Sequence, residues 1–175
     1  MDCTFATATA ADADAIVALV NSAYRGESSK AGWTFESSFL AGQRTDRAMI
    51  LSAIALSDTS IVLMYSAGEL VGCCELQHHT GGAQCHLGMF TISPTLQNKG
   101  LGKRLLAHAE RLARERWQCT GMQITVIHIR TELIAYYERR GFARTGAVEN
   151  FPYGDERFGM PLVQGLTFVE MCKPL

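Results

Sequence analysis

The stretch Met89-Phe90-Thr91-Ile92-Ser93-Pro94-Thr95-Leu96-Gln97-Asn98-Lys99-Gly100-Leu101-Gly102-Lys103-Arg104-Leu105-Leu106 carries three local signals in a row. A β-branched and aromatic run stops at a proline, which cannot donate to a sheet ladder and restricts the residue before it. Polar residues and two glycines follow. Apolar positions then recur at helical spacing (Leu101, Leu105, Leu106, Ala109, Leu112, Ala113), with Lys103, Arg104, Glu110, Arg111 and Arg114 on the other side. A strand, a glycine turn and an amphipathic helix in that order make a cradle for an anion. Glycine lets the backbone turn tightly and approach a ligand, and the amides and dipole of a helix's first turn attract phosphate oxygens. Lone glycine pairs also merely turn a chain, but Gln97, Lys99 and Lys103 beside these two favour the pyrophosphate reading.

Two familiar phosphate loops do not fit. A dinucleotide fingerprint starting at Gly100 needs a third glycine where Leu105 stands. A nucleotide-triphosphate loop ending in Gly102 and Lys103 needs serine or threonine at Arg104 and glycine at Gln97.

Upstream, residues 4–9 alternate as a strand, and Thr9 with Asp12 resembles a helix-opening box ahead of the apolar face Ile16, Val17, Leu19, Val20 and Ala23. Residues 25–32 read as a loop. Residues 35–56 predict a second helical region broken near 42–46. Residues 61–65 and 70–77 predict a hairpin, and residues 84–92 a third strand. Downstream, residues 122–127 read as a buried strand, Thr131 caps a short helix ending at Gly141, and residues 142–148 and 166–171 supply late strands.

The 175 residues suit a single domain spanning 1–175. The formal net charge is −1 and the basic residues are scattered, so neither nucleic acid nor an anionic membrane is expected as partner. No apolar run approaches the roughly 20 residues of a membrane span, and no signal peptide is read, so the chain is expected in the cytoplasm. None of the six cysteines forms a two-residue-gap pair, so they read as small reduced hydrophobes and no metal is expected.

Gln97, Gly100 and Gly102 match the acetyl-CoA motif of the GNAT superfamily of N-acetyltransferases: glutamine or arginine, two residues, glycine, one residue, glycine or alanine. Met89 to Pro94 resembles that family's preceding strand, and Ala135-Tyr136-Tyr137-Glu138-Arg139-Arg140-Gly141-Phe142 resembles its second signature. The resemblance implies an α/β fold of the α+β type. Its central sheet would be mixed but largely antiparallel, with six to seven strands splayed in the middle and about four flanking helices. It implies acetyl-CoA as cosubstrate and an amine of a small molecule or peptide as acceptor, joined by direct attack in a ternary complex. An inactive acyl-CoA-binding sensor, or a transferase using another acyl-CoA, is the alternative, and a homodimer is left open.

By that resemblance, Phe90, Thr91, Ile92, Gln97, Asn98, Lys99, Gly100, Leu101, Gly102 and Lys103 are expected at the coenzyme. Backbone groups of Phe90 and Ile92 would pair with its amides, and the Ile92 amide would point at the thioester oxygen where charge develops. Tyr137, four residues before Gly141, is the expected acid for the departing thiolate; without the resemblance it reads as a helix aromatic packed on the sheet. The proton of the amine falls to His86 or Glu75, or to water. Arg130 stands where many members carry asparagine; it is expected at a phosphate of the coenzyme, at a substrate carboxylate, or paired with Glu132. Glu27, Trp33, Tyr153 and Asp155, in the two loops that wall the acceptor site in relatives, are the expected acceptor contacts.

Overall fold

The computed structural model describes residues 2–79 and 81–175. Its elements run β1 (Thr4–Thr7), α1 (Ala13–Tyr24), α2 (Gly26–Ser29), β2 (Leu40–Ala41), α3 (Arg47–Ala55), β3 (Thr59–Ser66), β4 (Glu69–His78), β5 (Gln84–Ile92), α4 (Leu101–Trp117), β6 (Gly121–Ile127), α5 (Thr131–Glu138), β7 (Ala143–Asn150), β8 (Met160–Pro161) and β9 (Thr167–Pro174). Seven strands form one sheet in the order β1-β3-β4-β5-β6-β9-β7, while β2 and β8 pair separately. Every neighbouring pair in the large sheet is antiparallel except β5 and β6. With five helices around it, this is the mixed, mostly antiparallel architecture that the resemblance implied.

Two cores cover the two faces of the sheet. Helix α4 buries Leu101, Leu105, Leu106, Ala109 and Ala113 against one face, together with Cys74, Cys85, Leu87 and Ile134. Helix α1 buries Ile16, Leu19, Val20 and Ala23 against the other, together with Ile50, Leu63 and Cys73. Strand alternation assigns the sides, so adjacent Cys73 and Cys74 enter different cores. Helix α4 ends at Gln118, which is left-handed at φ 55°, with Arg114 and Arg116 in its last turn facing the negative end of the helix dipole.

Residues 35–46 depart from the expected helical region. Only Arg47–Ala55 is helical, opened by the Asp46 carboxylate accepting from the Met49 amide at 2.8 Å. The segment before it is a turn at 37–39, where the amides of Phe39 and Leu40 donate to the Glu36 carbonyl, followed by the two-residue strand Leu40–Ala41, which pairs with Pro161 and Met160, a contact across more than a hundred residues that no local pattern carries.

The middle of the sheet opens. Strands β5 and β6 pair only from Gln84 to His86 against Gly121 to Gln123. On its other side β5 holds a bulge: Cys73 faces Thr91 but Glu75 faces Gly88, so Met89 and Phe90 together oppose Cys74. Met89 takes φ 48°, a left-handed conformation that costs a non-glycine residue about 1–3 kcal/mol. The bulge bends β5 away from β6 just past the last paired residue.

Candidate active site

Two cavities lie at the opening, of about 560 Å³ and about 760 Å³. Tyr24, Phe90, Leu133 and Tyr137 line both, so the cavities share a wall at the splayed end of β5.

The larger cavity contains the glycine turn. Gly100 stands before α4 at φ 80°, and among the described residues no side chain caps the helix's first turn. A Cβ at Gly102 would come within 2.6 Å of the Tyr136 hydroxyl, so only glycine leaves that approach free. The Tyr136 hydroxyl and Arg140 Nε are buried without a hydrogen-bond partner among the described residues, although Arg140 lies 3.3 Å over the Tyr136 ring and bonds its carbonyl at 2.8 Å. Lys103, Arg139 and Arg140 line this cavity, and Glu132 is the one acid among its described lining residues. A glycine turn with an uncapped helix, three cations and two orphaned polar atoms fits a phosphate-bearing coenzyme. Tyr136 of α5, and Arg139 and Arg140 in the turn just past its end, were not among the expected ligands; their sequence signal is their place in the second signature, ahead of Gly141.

Of the residues expected at the coenzyme, Phe90, Ile92, Gln97, Asn98, Gly100, Gly102, Lys103 and Tyr137 line this cavity. Thr91 and Leu101 are buried and do not line it; the Thr91 hydroxyl donates to the Met89 carbonyl. Lys99 is exposed on the turn outside it. The Gln97 side chain is spent inside the protein: Oε1 accepts from the Trp33 amide at 2.8 Å, and Nε2 donates to Thr34 Oγ1 at 2.8 Å and to the Ile92 carbonyl at 3.1 Å. Ser93 donates to Val71, so ladder alternation turns the main-chain groups of Phe90 and Ile92 away from β4 and into the gap. There the Phe90 carbonyl accepts the Tyr24 hydroxyl at 2.5 Å.

The smaller cavity holds His86 and Glu75, both on the α1 face of the sheet. The His86 ring lies against Gly88, where a Cβ would meet it at 3.6 Å. Burial, helped by His79 and opposed by Glu170, holds its imidazole below the ordinary range. Burial pushes the Glu75 carboxyl upward, with Arg44 opposing. Tyr137 is 5% exposed and packs edge-on to Phe90, Tyr136 and Phe142. Burial first, then the neighbouring Tyr24 and Tyr136, raises its phenol well above the ordinary value.

The four residues expected at the acceptor, Glu27, Trp33, Tyr153 and Asp155, do not line the smaller cavity. Trp33 lines the coenzyme-sized cavity, because Gln97 pulls its loop toward the glycine turn. Glu27 pairs with Lys30 at the surface at 2.6 Å. Asp155 accepts from Arg157 Nε at 2.8 Å, and the Tyr153 hydroxyl staples its own loop by donating to Val163 and accepting from Leu166. Glu149, Asn150, Phe151 and Phe158 from the same region line the smaller cavity instead.

Arg130 pairs with Glu36 at 2.7 Å and donates to the Thr34 carbonyl at 2.7 Å, and so does not pair with Glu132. Glu36 is 5% exposed and its other oxygen binds Arg25, itself 7% exposed. Burial alone would raise the Glu36 carboxyl, but Arg130, Arg25 and Arg44 outweigh it and hold it low. Glu36, Arg25, Arg44 and Tyr24 were missed because they sit in loops and at a helix end where residue type alone carries no spacing signal.

Four likenesses to known proteins bear on this site. A model of the acetyltransferase (GNAT) family matches residues 16–142. The blasticidin-S acetyltransferase of Streptomyces morookaense is 30% identical over 87 residues, which is 50% of this chain and 61% of that protein, so the chain spans under two thirds of this relative's length. The ribosomal-protein-S18-alanine N-acetyltransferase of Escherichia coli superposes over 99% of this chain and 94% of its own at TM-score 0.71 and 16% identity. The PaiA N-acetyltransferase of Thermoplasma acidophilum, solved with coenzyme A, covers 100% of both chains at TM-score 0.70 and 15% identity. At such identities the two structures establish likeness of fold.

Proposed function

The chain belongs to the GNAT acetyltransferase family, and from that premise we propose that it moves an acetyl group from acetyl-CoA to the amine of a small molecule or peptide by direct attack within one ternary complex. The observation that carries this reading is the shared wall: one cavity fits a phosphate-bearing coenzyme, the other holds two titratable side chains, and Tyr137 lines both. Acetyl-CoA supplies an activated thioester; everything else is done by the chain. Main-chain groups of Phe90 and Ile92 face the gap and orient the pantetheine arm, and amides at Gly100 to Lys103 hold the diphosphate. Trp33, Tyr136, Arg139 and Arg140 close the rest of that cavity.

Tyr137 keeps its proton at neutral pH because burial disfavours the phenolate. It is thus a neutral acid able to protonate a departing thiolate, whose free thiol has a pKa of roughly 8.5. His86, held below its ordinary range, is neutral at neutral pH and able to accept the amine's proton; Glu75 is the second acceptor on the same face. The PaiA protein solved with coenzyme A supports the coenzyme side. The acceptors named for the relatives, blasticidin S and a protein's alanine, differ too widely to choose one here.

The test is calorimetric titration with acetyl-CoA followed by thiol release across a panel of amines. Acetyl-CoA binding with amine-dependent release of CoA is the expected result. Absence of binding refutes the reading, and binding without turnover of any amine replaces it with an acyl-CoA sensor.

A further inference from the structure

At the Tyr24 end of the smaller cavity three arginines surround one carboxylate. Both Glu36 oxygens are occupied, one by Arg25 Nη1 and one by Arg130 Nη1. Arg44 lines the same cavity, half-buried, yet its guanidinium makes no hydrogen bond or ion pair to a described residue; it lies 5.7 Å over the Tyr24 ring, which Arg130 also approaches at 5.8 Å. Behind Glu36, Arg25 Nε and Nη2 are buried without partners. One negative charge therefore answers three positive ones, and two charges stay uncompensated next to the acceptor cavity. Of the other acids lining the cavity, Glu75 feels Arg44 through space but forms no ion pair with a described residue, and Glu149 is exposed.

Resting on the assignment of this cavity to the acceptor, we propose that the acceptor amine bears a carboxylate, and that Arg44 receives this carboxylate while the amine faces Glu75 and His86. The class is an amino acid or a close amino-carboxylate. A partly buried cation is well served by a bidentate carboxylate, and Arg44 has the planar fork for it. A polyamine would set its second positive charge beside Arg44 and Arg130, where the low local dielectric magnifies repulsion. A zwitterion instead matches charge at both ends: its anion meets the unanswered arginine and its ammonium meets the unanswered acid.

The experiment compares matched acceptors at saturating acetyl-CoA: an L-amino acid, its carboxamide and its decarboxylated amine, over several side chains. The wild type is expected to favour the carboxylate form about tenfold or more in kcat/KM, as suits a hydrogen bond to a charged group. In Arg44→Met the rates for carboxylate and carboxamide converge, chiefly through KM, and Arg44→Lys restores part of the preference. Because the Arg44 side chain bonds no described group, the variant should fold, which circular dichroism checks. If no free amine turns over, N-acetyl amino acids and their amides are titrated into the CoA-saturated protein, with the same discrimination expected and the same loss in Arg44→Met. Equal use of carboxylate and neutral acceptors, preference for polyamines, or equal loss for all acceptors in Arg44→Met overturns the proposal and leaves acetyl transfer standing. Failure to bind acetyl-CoA overturns the parent reading instead.

Discussion

Replacing Tyr137 by phenylalanine removes one oxygen from the wall between the two cavities, and the structure separates its effects on folding, binding and rate. The Tyr137 ring is 5% exposed and its edge-on contacts to Phe90, Tyr136 and Phe142 survive in phenylalanine. The hydroxyl makes no hydrogen bond to a described residue, so no buried donor or acceptor is orphaned. The melting temperature should therefore stay within about 2–4 °C, the shift that 1 kcal/mol produces in a domain of this size. Acetyl-CoA affinity should change less than about threefold, because the cavity keeps its glycine turn and its cations. The rate should fall by about 10²–10⁴, the usual contribution of a positioned acid, which corresponds to roughly 2.7–5.4 kcal/mol at the transition state. The assay is thiol release at saturating acetyl-CoA with the best amine of the panel, alongside calorimetry on both proteins. The pH dependence adds a second reading. Because burial raises this phenol well above 10, the wild-type rate should show no alkaline limb from Tyr137 below about pH 10. Parallel loss of affinity and rate, or a rate within about threefold of wild type, refutes the acid role.

Three further substitutions examine other parts of the site. Gly102→Ala drives a Cβ to 2.6 Å from the Tyr136 hydroxyl, while Arg140 stacks on that ring at 3.3 Å. Overpacking of about 1–3 kcal/mol should outweigh a helix-propensity gain of up to about 1 kcal/mol and weaken acetyl-CoA binding at least tenfold by calorimetry; adding Tyr136→Phe should recover the stability. Glu36→Gln leaves Arg25 and Arg130 without their shared charge and should cost roughly 3–5 kcal/mol in denaturant unfolding. Because the folded Glu36 carboxyl is held low, its contribution is present above the ordinary carboxylate pKa of about 4.3 and is lost as pH falls through the folded value; Glu36→Gln should flatten the acid side of the stability profile. His86→Gln should abolish the acidic limb of kcat/KM against pH, with Glu75→Gln sparing it. Burial moves His86 down and Glu75 up toward each other, so the variants, and not the position of the limb, identify the base.

What was legible in the sequence followed from local period and from glycine. Helix α4, the strands β3 to β6 and the turn at Gly100 and Gly102 each carry their own signal, and the structure holds them in the expected order. Tyr137 was legible through the signature around Gly141. The loops around the two cavities were not, because their residues are assembled by contacts between distant segments. Trp33 follows Gln97, 64 positions away, to the glycine turn. Pairing of β2 with β8 holds Leu40 and Ala41 out of the expected helical region, and Glu36 is held inside by Arg25 and by Arg130, 94 positions away. Glu27 and Asp155 had the right charge for an amine, but each finds a cation within three residues and stays at the surface. The bulge at Met89 had no warning either, since methionine does not favour a left-handed backbone.

That bulge and the Glu36 network belong to one arrangement. The bulge frees the main chain of Phe90 from the sheet, and the Tyr24 hydroxyl then fixes its carbonyl at the mouth of the gap. Tyr24 is the last residue of α1, and the next residue, Arg25, binds Glu36. Glu36 in turn binds Arg130, which directly precedes α5, the helix that presents Tyr137. One buried carboxylate thus ties the helix that steadies the opened strand to the helix that carries Tyr137. The Lys173 to Glu110 pair, at 2.5 Å, joins β9 to α4 on the other face and touches neither cavity. Loosening Glu36 must therefore alter the rate as well as the stability, whereas breaking Lys173 from Glu110 should alter stability alone, by no more than about 1 kcal/mol for a partly exposed pair.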